Sequence, residues 1–344
     1  MVGTACILVG GAFGLSATSA AQAAATSVSN HKISGNDSAI SCMTASRCVA
    51  VGYGATSHGQ VVVVTNGKQT HVTTVPSTKT LYSVSCPSSA GCWAIGPQNG
   101  GANLVLVRIG PAGKVTKALK VAEPFASIGS ISCVSMKYCG VLGDNIFVSP
   151  AAIEIGTWSG TKLTLHSVAG VKGSTDTVGD GISCWKATCL AVGYYYLKAP
   201  NSAGFLLTMN NGKPGKQHTI SNDFFYGVSC VSSSRCYADG FSALAAGLVV
   251  SVKNGVATHT QMESVDVTGI ECVGSTCRAS GEKLGGSSYY GVIRTLFNGT
   301  NKGTPVVDKA VDGFDGPGTI AARGAGFAAI GPVQKGSGSE VAVG

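Results

Sequence analysis

All but one of the 13 cysteines fall into six close pairs: Cys42/Cys48, Cys86/Cys92, Cys133/Cys139, Cys184/Cys189, Cys230/Cys236 and Cys272/Cys277. Four or five intervening residues suit a tight hairpin, whose facing positions bring Cα atoms to about 4.5–5.5 Å, within disulfide range. Six bridges, each stapling one hairpin, are the expected chemistry. Zinc would need spacings of about two to four residues and two pairs converging on one point. No pair has a neighbouring histidine to activate a thiol. Neither a metal nor a cofactor is expected. Carboxylates are the other candidates, because two of them facing each other across a sugar linkage would make a glycosidase. Asp180, Asp223 and Asp266 are the acids that could converge in this way.

The cysteines sit in a recurring frame that sets what must position them. ISCMTASRCVAVG (40–52) returns as VSCPSSAGCWAIG (84–96), ISCVSMKYCGVLG (131–143), ISCWKATCLAVG (182–193), VSCVSSSRCYADG (228–240) and IECVGSTCRASG (270–281). A seventh copy, TIAARGAGFAAIG (319–331), keeps the frame without cysteines, with Ala322 and Phe327 in their places. First cysteines are separated by 44, 47, 51, 46 and 42 residues. That period suits propeller blades or paired helices, and short runs of Ser, Thr, Val, Ile and Cys without sustained helical periodicity decide for strands. The expected fold is all-β, a seven-bladed β-propeller of four-stranded blades.

Within the second unit the strands are predicted at Leu81–Cys86, Cys92–Gly96, Asn103–Ile109 and Val115–Ala122. The last two strands of other units meet at Asn66-Gly67, Ser159-Gly160, Asn211-Gly212, Asn254-Gly255 and Asn298-Gly299. Asn-Gly is a strong hairpin signal. The last unit lacks a fourth strand, and residues 25–34 precede the first unit where one belongs. The N-terminal segment is therefore expected to supply the outer strand of the last blade and close the ring.

This order of strand, cysteine or aromatic leading into A-V-G, apolar strand and Gly turn resembles the BNR/Asp-box propeller repeats of sialidases and photosystem-assembly propellers, over residues 38–344. The defining S-x-D-x-G-x-T-W turn is reduced here to Asn-Gly or Ser-Gly. The paired cysteines resemble the SC-x(4–5)-C-x-A-V-G repeats of secreted actinobacterial proteins. The resemblance implies a propeller fold and, for the sialidase branch, a glycoside hydrolase or lyase with an arginine clamp.

Composition fits a turn-rich β protein: 344 residues, 49 of them glycine, 44% hydrophobic and 12% charged. The net charge of +8 is spread over 24 basic and 16 acidic residues without a basic run, so no nucleic-acid partner is expected. Residues 1–24 have an apolar centre and an Ala21-Gln22-Ala23 cleavage signal, as in a secretory signal peptide, and would carry Cys6 away with them. The run is too short and too rich in small residues to span a bilayer. A bacterial, secreted or cell-wall-associated monomer with one domain, residues 25–344, is the expectation.

In such a ring the turns within hairpins emerge on one face and the remaining loops on the other. The loop face collects 11 of the 16 acids, and with them the aromatic runs Tyr194, Tyr195, Tyr196, then Asp223, Phe224, Phe225, Tyr226, then Tyr289 and Tyr290. The hairpin face collects cations, among them Arg47, Lys68, Lys114, Arg235 and Arg278. Aromatics stack on apolar sugar faces while carboxylates accept hydroxyl hydrogen bonds. The expected function is a non-catalytic binding module for a carbohydrate, a cell-wall polymer or a protein partner, gripped at those nine residues. No arginine falls on the loop face, which counts against the hydrolase. His71, His166, His218 and His259 fall on fourth strands, read as solvated rim positions.

Overall fold

Short runs of β-branched and small apolar residues, each ended by a turn signal, become strands and little else. The computed structural model describes residues 29–101, 103–121, 127–145, 148, 151–198, 201–242, 246–285, 288–301, 305–308, 320–323, 326–332 and 339–343. The expected signal peptide lies outside the described residues, as do Glu123, Phe125, Phe147, Asp312, Phe314 and Asp315 of the expected loop face and Lys302 of the expected hairpin face.

Seven antiparallel sheets follow in chain order. Blade 1 comprises Asn36–Thr44, Arg47–Tyr53, Gly59–Thr65 and Lys68–Val75. Blade 2 comprises Ser83–Ser88, Gly91–Pro97, Leu104–Ile109 and Val115–Val121, within two residues of the boundaries predicted for all four of its strands. Blade 3 comprises Ser127–Ser135, Tyr138–Asn145, Ala152–Trp158 and Leu163–Ala169, and blade 4 Asp176–Trp185, Thr188–Tyr196, Ser202–Asn210 and Lys213–Ser221. Blade 5 comprises Asp223–Ser232, Arg235–Ser242, Ala246–Lys253 and Val256–Glu263. Blade 6 has Asp266–Val273, Thr276–Gly285 and Ser288–Phe297, its outer strand divided into Thr300–Asn301 and Val306–Asp308. Blade 7 joins Ile320–Arg323, Gly326–Pro332 and Ser339–Val343 to Ser29–Ile33, which pairs with Ser339–Val343 from the other end of the chain. The ring closes as expected. The fold is a seven-bladed β-propeller.

The turns behave as their residues require. Asn66, Asn211, Asn254 and Asn298 adopt φ near +50°, and the glycine after each lies near +78°, the two positive φ values of a type I′ hairpin turn.

No single core exists. Alternate residues of each strand face opposite neighbours, and the buried side chains form seven clusters, one per blade junction. Val49 and Val51 pack with Val105 and Val107 of blade 2, while Ala50 and Cys48 pack with Ile330 and Val341 of blade 7.

All six expected disulfides are present, Cys42–Cys48, Cys86–Cys92, Cys133–Cys139, Cys184–Cys189, Cys230–Cys236 and Cys272–Cys277. Each bridges the first two strands of one blade, with Cα atoms 3.8–4.1 Å apart. That is closer than the spacing expected for facing strand positions. The two sulfurs of a pair sit in different surroundings. The first cysteine of every pair lines the central channel, whereas Cys92, Cys139 and Cys277 are fully buried at 0% exposure. Cys139 is enclosed with Trp93, Ile95 and Trp158 between blades 2 and 3, and Cys277 with Tyr237, Val249 and Leu296 between blades 5 and 6. The cause is strand position: first strands edge the channel, while second strands lie inside the blade, covered on both faces by neighbouring sheets.

In blade 7 the corresponding pair is Ala322 facing Phe327. The Phe327 ring is buried under the Arg278 guanidinium, 5.4 Å from its centroid. Arg278 thus departs from its expected place on the hairpin face: it is 7% exposed, and burial lowers its pKa.

The serine before each first cysteine ties neighbouring blades together. The hydroxyl oxygens of Ser41, Ser85, Ser132, Ser183 and Ser229 accept the backbone N–H of Cys86, Cys133, Cys184, Cys230 and Cys272, each one blade on, at 2.8–3.0 Å. Blades 6 and 7 put Glu271 and Ala321 at that position. A channel pocket of about 680 Å³, lined by the first strands of all seven blades, runs inside this ring. Arg323 reaches from blade 7 to the Cys86 and Pro87 carbonyl oxygens of blade 2, at 3.3 and 3.4 Å.

Candidate functional site

Strand alternation decides which of the predicted aromatics meet. Successive side chains point to opposite faces of a sheet, so Tyr194 and Tyr196 share a face that Tyr195 does not. Tyr194 is the hub: its ring centroid lies 4.9 Å from Phe224, 5.3 Å from Tyr196 and 6.2 Å from Tyr226, all edge-on. Tyr196 also meets Phe224 edge-on at 6.3 Å. Four of the nine expected ligand-binding residues therefore form one cluster on the loop face, across the junction of blades 4 and 5, with Tyr196 43% exposed at its rim.

Two others, contrary to the expectation, point into the core. Tyr195 and Phe225 are fully buried. Tyr195 packs on Phe205 at 5.2 Å, and Phe225 lies under Gly204, where a β-carbon would come within 2.6 Å of the ring. Both hold the blades together and cannot touch a ligand from solvent. Asp223 is half-buried opposite Ser242, to which it is hydrogen-bonded, and burial raises its pKa. Tyr289 and Tyr290 belong to blade 6 and join none of the described ring contacts of this cluster.

Beside the rings sit buried carboxylates. The first strand of blade 4 carries a bulge between Gly179 and Gly181, and that of blade 5 one between Phe225 and Gly227. The unpaired residues, Asp180 and Tyr226, therefore occupy the same position on neighbouring blades. Burial pushes the Asp180 carboxyl up to about 7, and the charge of Asp144 on blade 3 adds to the rise. Asp239, fully enclosed in blade 5, is pushed up to about 8, chiefly by burial and with a contribution from the Asp180 charge. Neither Asp239 oxygen has a hydrogen-bond partner on another described residue, nor does Asp180 Oδ2. Burial and then the Asp180 charge also raise the Tyr194 phenol, which is hydrogen-bonded to Tyr196. Asp266, the third acid expected to converge here, begins the first strand of blade 6 and faces Glu282.

Asp239 and Glu271 are two further acids with raised carboxyls that the cysteine spacing does not single out. Each was visible as an in-frame departure: ADG at 238–240 where five of the six other copies put an apolar residue or serine after alanine, as in AVG, AIG or ASG, and EC at 271–272 where the other cysteine-bearing copies have SC. Gly227 makes room for the first, since a β-carbon there would collide with Asp239 Oδ1. Glu271 faces the channel; burial pushes its carboxyl up to about 7, against a Ser229 hydrogen bond and the Arg323 charge.

The six arginines are disposed as follows. Arg47 and Arg235 are exposed at hairpin tips, Arg108 is exposed on a third strand, Arg278 is buried, and Arg323 lies across the channel. Arg294 pairs with Glu263 at 3.4 Å. Among the described residues no group of His, Cys, Asp and Glu has metal-binding geometry. The histidines at 71, 166, 218 and 259 lie on fourth strands, as expected.

No protein-family pattern matches the sequence, and no curated protein does. Solved structures share its architecture. One is YCF48 bound to D1 peptide, with 12% identity, a TM-score of 0.55, and 92% of this chain and 94% of that one covered. Another is the β-propeller domain of the Trilobed protease from Pyrococcus furiosus, described as having an open velcro topology, with 10% identity, a TM-score of 0.52 and coverages of 86% and 91%. At such identities the likeness is one of fold. The present ring differs from an open topology in that Ser29–Ile33 completes blade 7.

Proposed function

We propose that this chain is a secreted, non-catalytic binding module that takes a carbohydrate, cell-wall polymer or protein segment on its loop face above blades 4 and 5. The observation that carries the reading is the four-ring cluster of Tyr194, Tyr196, Phe224 and Tyr226 standing next to Asp180. Edge-on packing fixes the rings without further support and leaves a partly exposed aromatic wall, which suits stacking against an apolar sugar face or a peptide side chain. Phenol hydroxyls at the rim supply polar contacts. Six disulfides suit an oxidising, extracellular setting. A solved propeller of similar shape has a peptide bound, which makes a protein ligand reasonable on this scaffold.

A second reading, hydrolysis in the manner of sialidase-type propellers, is favoured by one feature: Asp180 has a carboxyl raised to about 7, as suits a general acid. Against it, the neighbouring Asp239 is enclosed and cannot reach a substrate, and Arg294 is engaged with Glu263. A glycan array and a cell-wall pull-down with the mature chain test the binding reading. Retention should be lost in Tyr194→Ala/Tyr196→Ala and kept in a variant of the opposite face. Turnover of a chromogenic glycoside panel, abolished by Asp180→Asn, would instead establish the hydrolase.

A further inference from the structure

The hairpin face, opposite the proposed site, has its own chemistry in the sector formed by blades 4 to 6. Its surface is the last rung of each sheet. In blade 4 that rung reads Trp185, Thr188, Asn210, Lys213 across the four strands. In blade 5 it reads Ser232, Arg235, Lys253, Val256, and in blade 6 Val273, Thr276, Phe297, Thr300.

Two features of these rungs are costly for a face that meets only water. Arg235 and Lys253, both exposed, stand directly opposite each other, and like charges so placed destabilise a strand pair. No exposed carboxylate relieves them on this face among the described residues; Glu271, the acid on this side, is half-buried and faces the channel. Large apolar side chains also project here: Trp185 is 42% exposed, Phe297 45% and Val273 37%. Between blades 4 and 5 lies a crevice of about 200 Å³, lined by the hydroxyls of Thr188, Thr208, Ser232, Ser233 and Ser234 and the amides of Asn210 and Asn254. It is rich in hydrogen-bond donors and contains no acid.

We infer that this sector docks on an anionic lipid surface, with Trp185, Val273 and Phe297 entering the interface while Arg235 and Lys253 meet phosphates and the crevice receives a headgroup. Tryptophan and phenylalanine flanked by cations favour the boundary between headgroups and acyl chains. Basic residues are drawn to anionic leaflets within a Debye length. A soluble polyanion would satisfy the cations and leave the apolar tips in water, so a bilayer suits the whole sector better. Docked this way, the propeller would hold its loop face outward.

The molecule carries its own reporter. Of its three tryptophans, Trp93 and Trp158 are each 2% exposed and packed edge-on against one another at 5.4 Å, leaving Trp185 to respond to surroundings. The experiment mixes the mature chain with vesicles of phosphatidylcholine alone or of phosphatidylcholine with phosphatidylglycerol, reading co-sedimentation and tryptophan emission. Expected are sedimentation with the anionic vesicles only, a blue shift absent in Trp185→Phe, and affinity weakened roughly tenfold or more in Arg235→Glu/Lys253→Glu. Phe297→Ala should weaken binding without changing its salt dependence. Equal binding to neutral vesicles, no binding to anionic ones, or binding unaffected by the charge reversals would overturn the inference. So would capture by soluble polyphosphate as tight as by vesicles, with no change in Trp185 emission.

Discussion

Cys133 donates its backbone N–H to the Ser85 hydroxyl oxygen 2.8 Å away on the preceding blade, and the same clip recurs at four other junctions. The SC dipeptide thus performs two jobs: the cysteine staples its own hairpin, and the serine fixes how the next blade sits against the channel. Ser85→Ala removes the acceptor and leaves a partly buried N–H without it. Stability should fall by about 1 kcal/mol, seen as a lower urea midpoint with an unchanged slope.

The disulfides stabilise by restricting the unfolded chain, and rings this small are worth on the order of 2 kcal/mol each in the loop-entropy model. Cys133→Ala/Cys139→Ala should destabilise the chain by at least that free energy, seen as a lower thermal midpoint, since Cys139 is also fully buried packing, while leaving far-UV circular dichroism unchanged. Full reduction should cost far more than any one pair, because every junction borders a stapled blade.

The period, the strand type, the six bridges and the closing strand were all legible from the cysteine frame, since each follows from local spacing and from the count of strands at the two ends. The site was less so. Lumping Tyr194 to Tyr196 ignores the two-residue period that sends Tyr195 into the core beside Phe205. Asp180 owes its place to a bulge between Gly179 and Gly181, and no residue pattern announces a bulge before the pairing is known. Asp239 occupies a position where its counterpart Val51 is an ordinary core residue, so its burial without a partner emerges only once the blades are packed.

Burial of acids makes stability depend on pH in a definite direction. Asp239, raised to about 8, and Asp180, raised to about 7, hold protons more tightly folded than unfolded, where the ordinary value is 3.8. Their protons favour the fold below about pH 4 in full, and that contribution is lost as pH rises through 7 to 8. Thermal midpoints should therefore fall between pH 5 and 8. Asp239→Asn should flatten the profile and stabilise the chain at pH 8 by at least about 1 kcal/mol; a variant with the parent's slope would show that Asp239 is not the group responsible.

Gly227 and Asp239 form a steric pair. Gly227→Ala should destabilise by about 1–3 kcal/mol as an overpacking change. Asp239→Ala in the same chain should restore most of that loss, giving a coupling energy in a double-mutant cycle that two independent sites would not show.

The central claim is that the loop face above blades 4 and 5 is the binding surface. Its most direct measurement compares retention of the parent chain, Tyr194→Ala/Tyr196→Ala and Arg235→Glu/Lys253→Glu on one glycan array and one cell-wall preparation. Loss of retention in the tyrosine variant alone, with its thermal midpoint unchanged, is the predicted result. Undiminished retention in that variant would contradict the account.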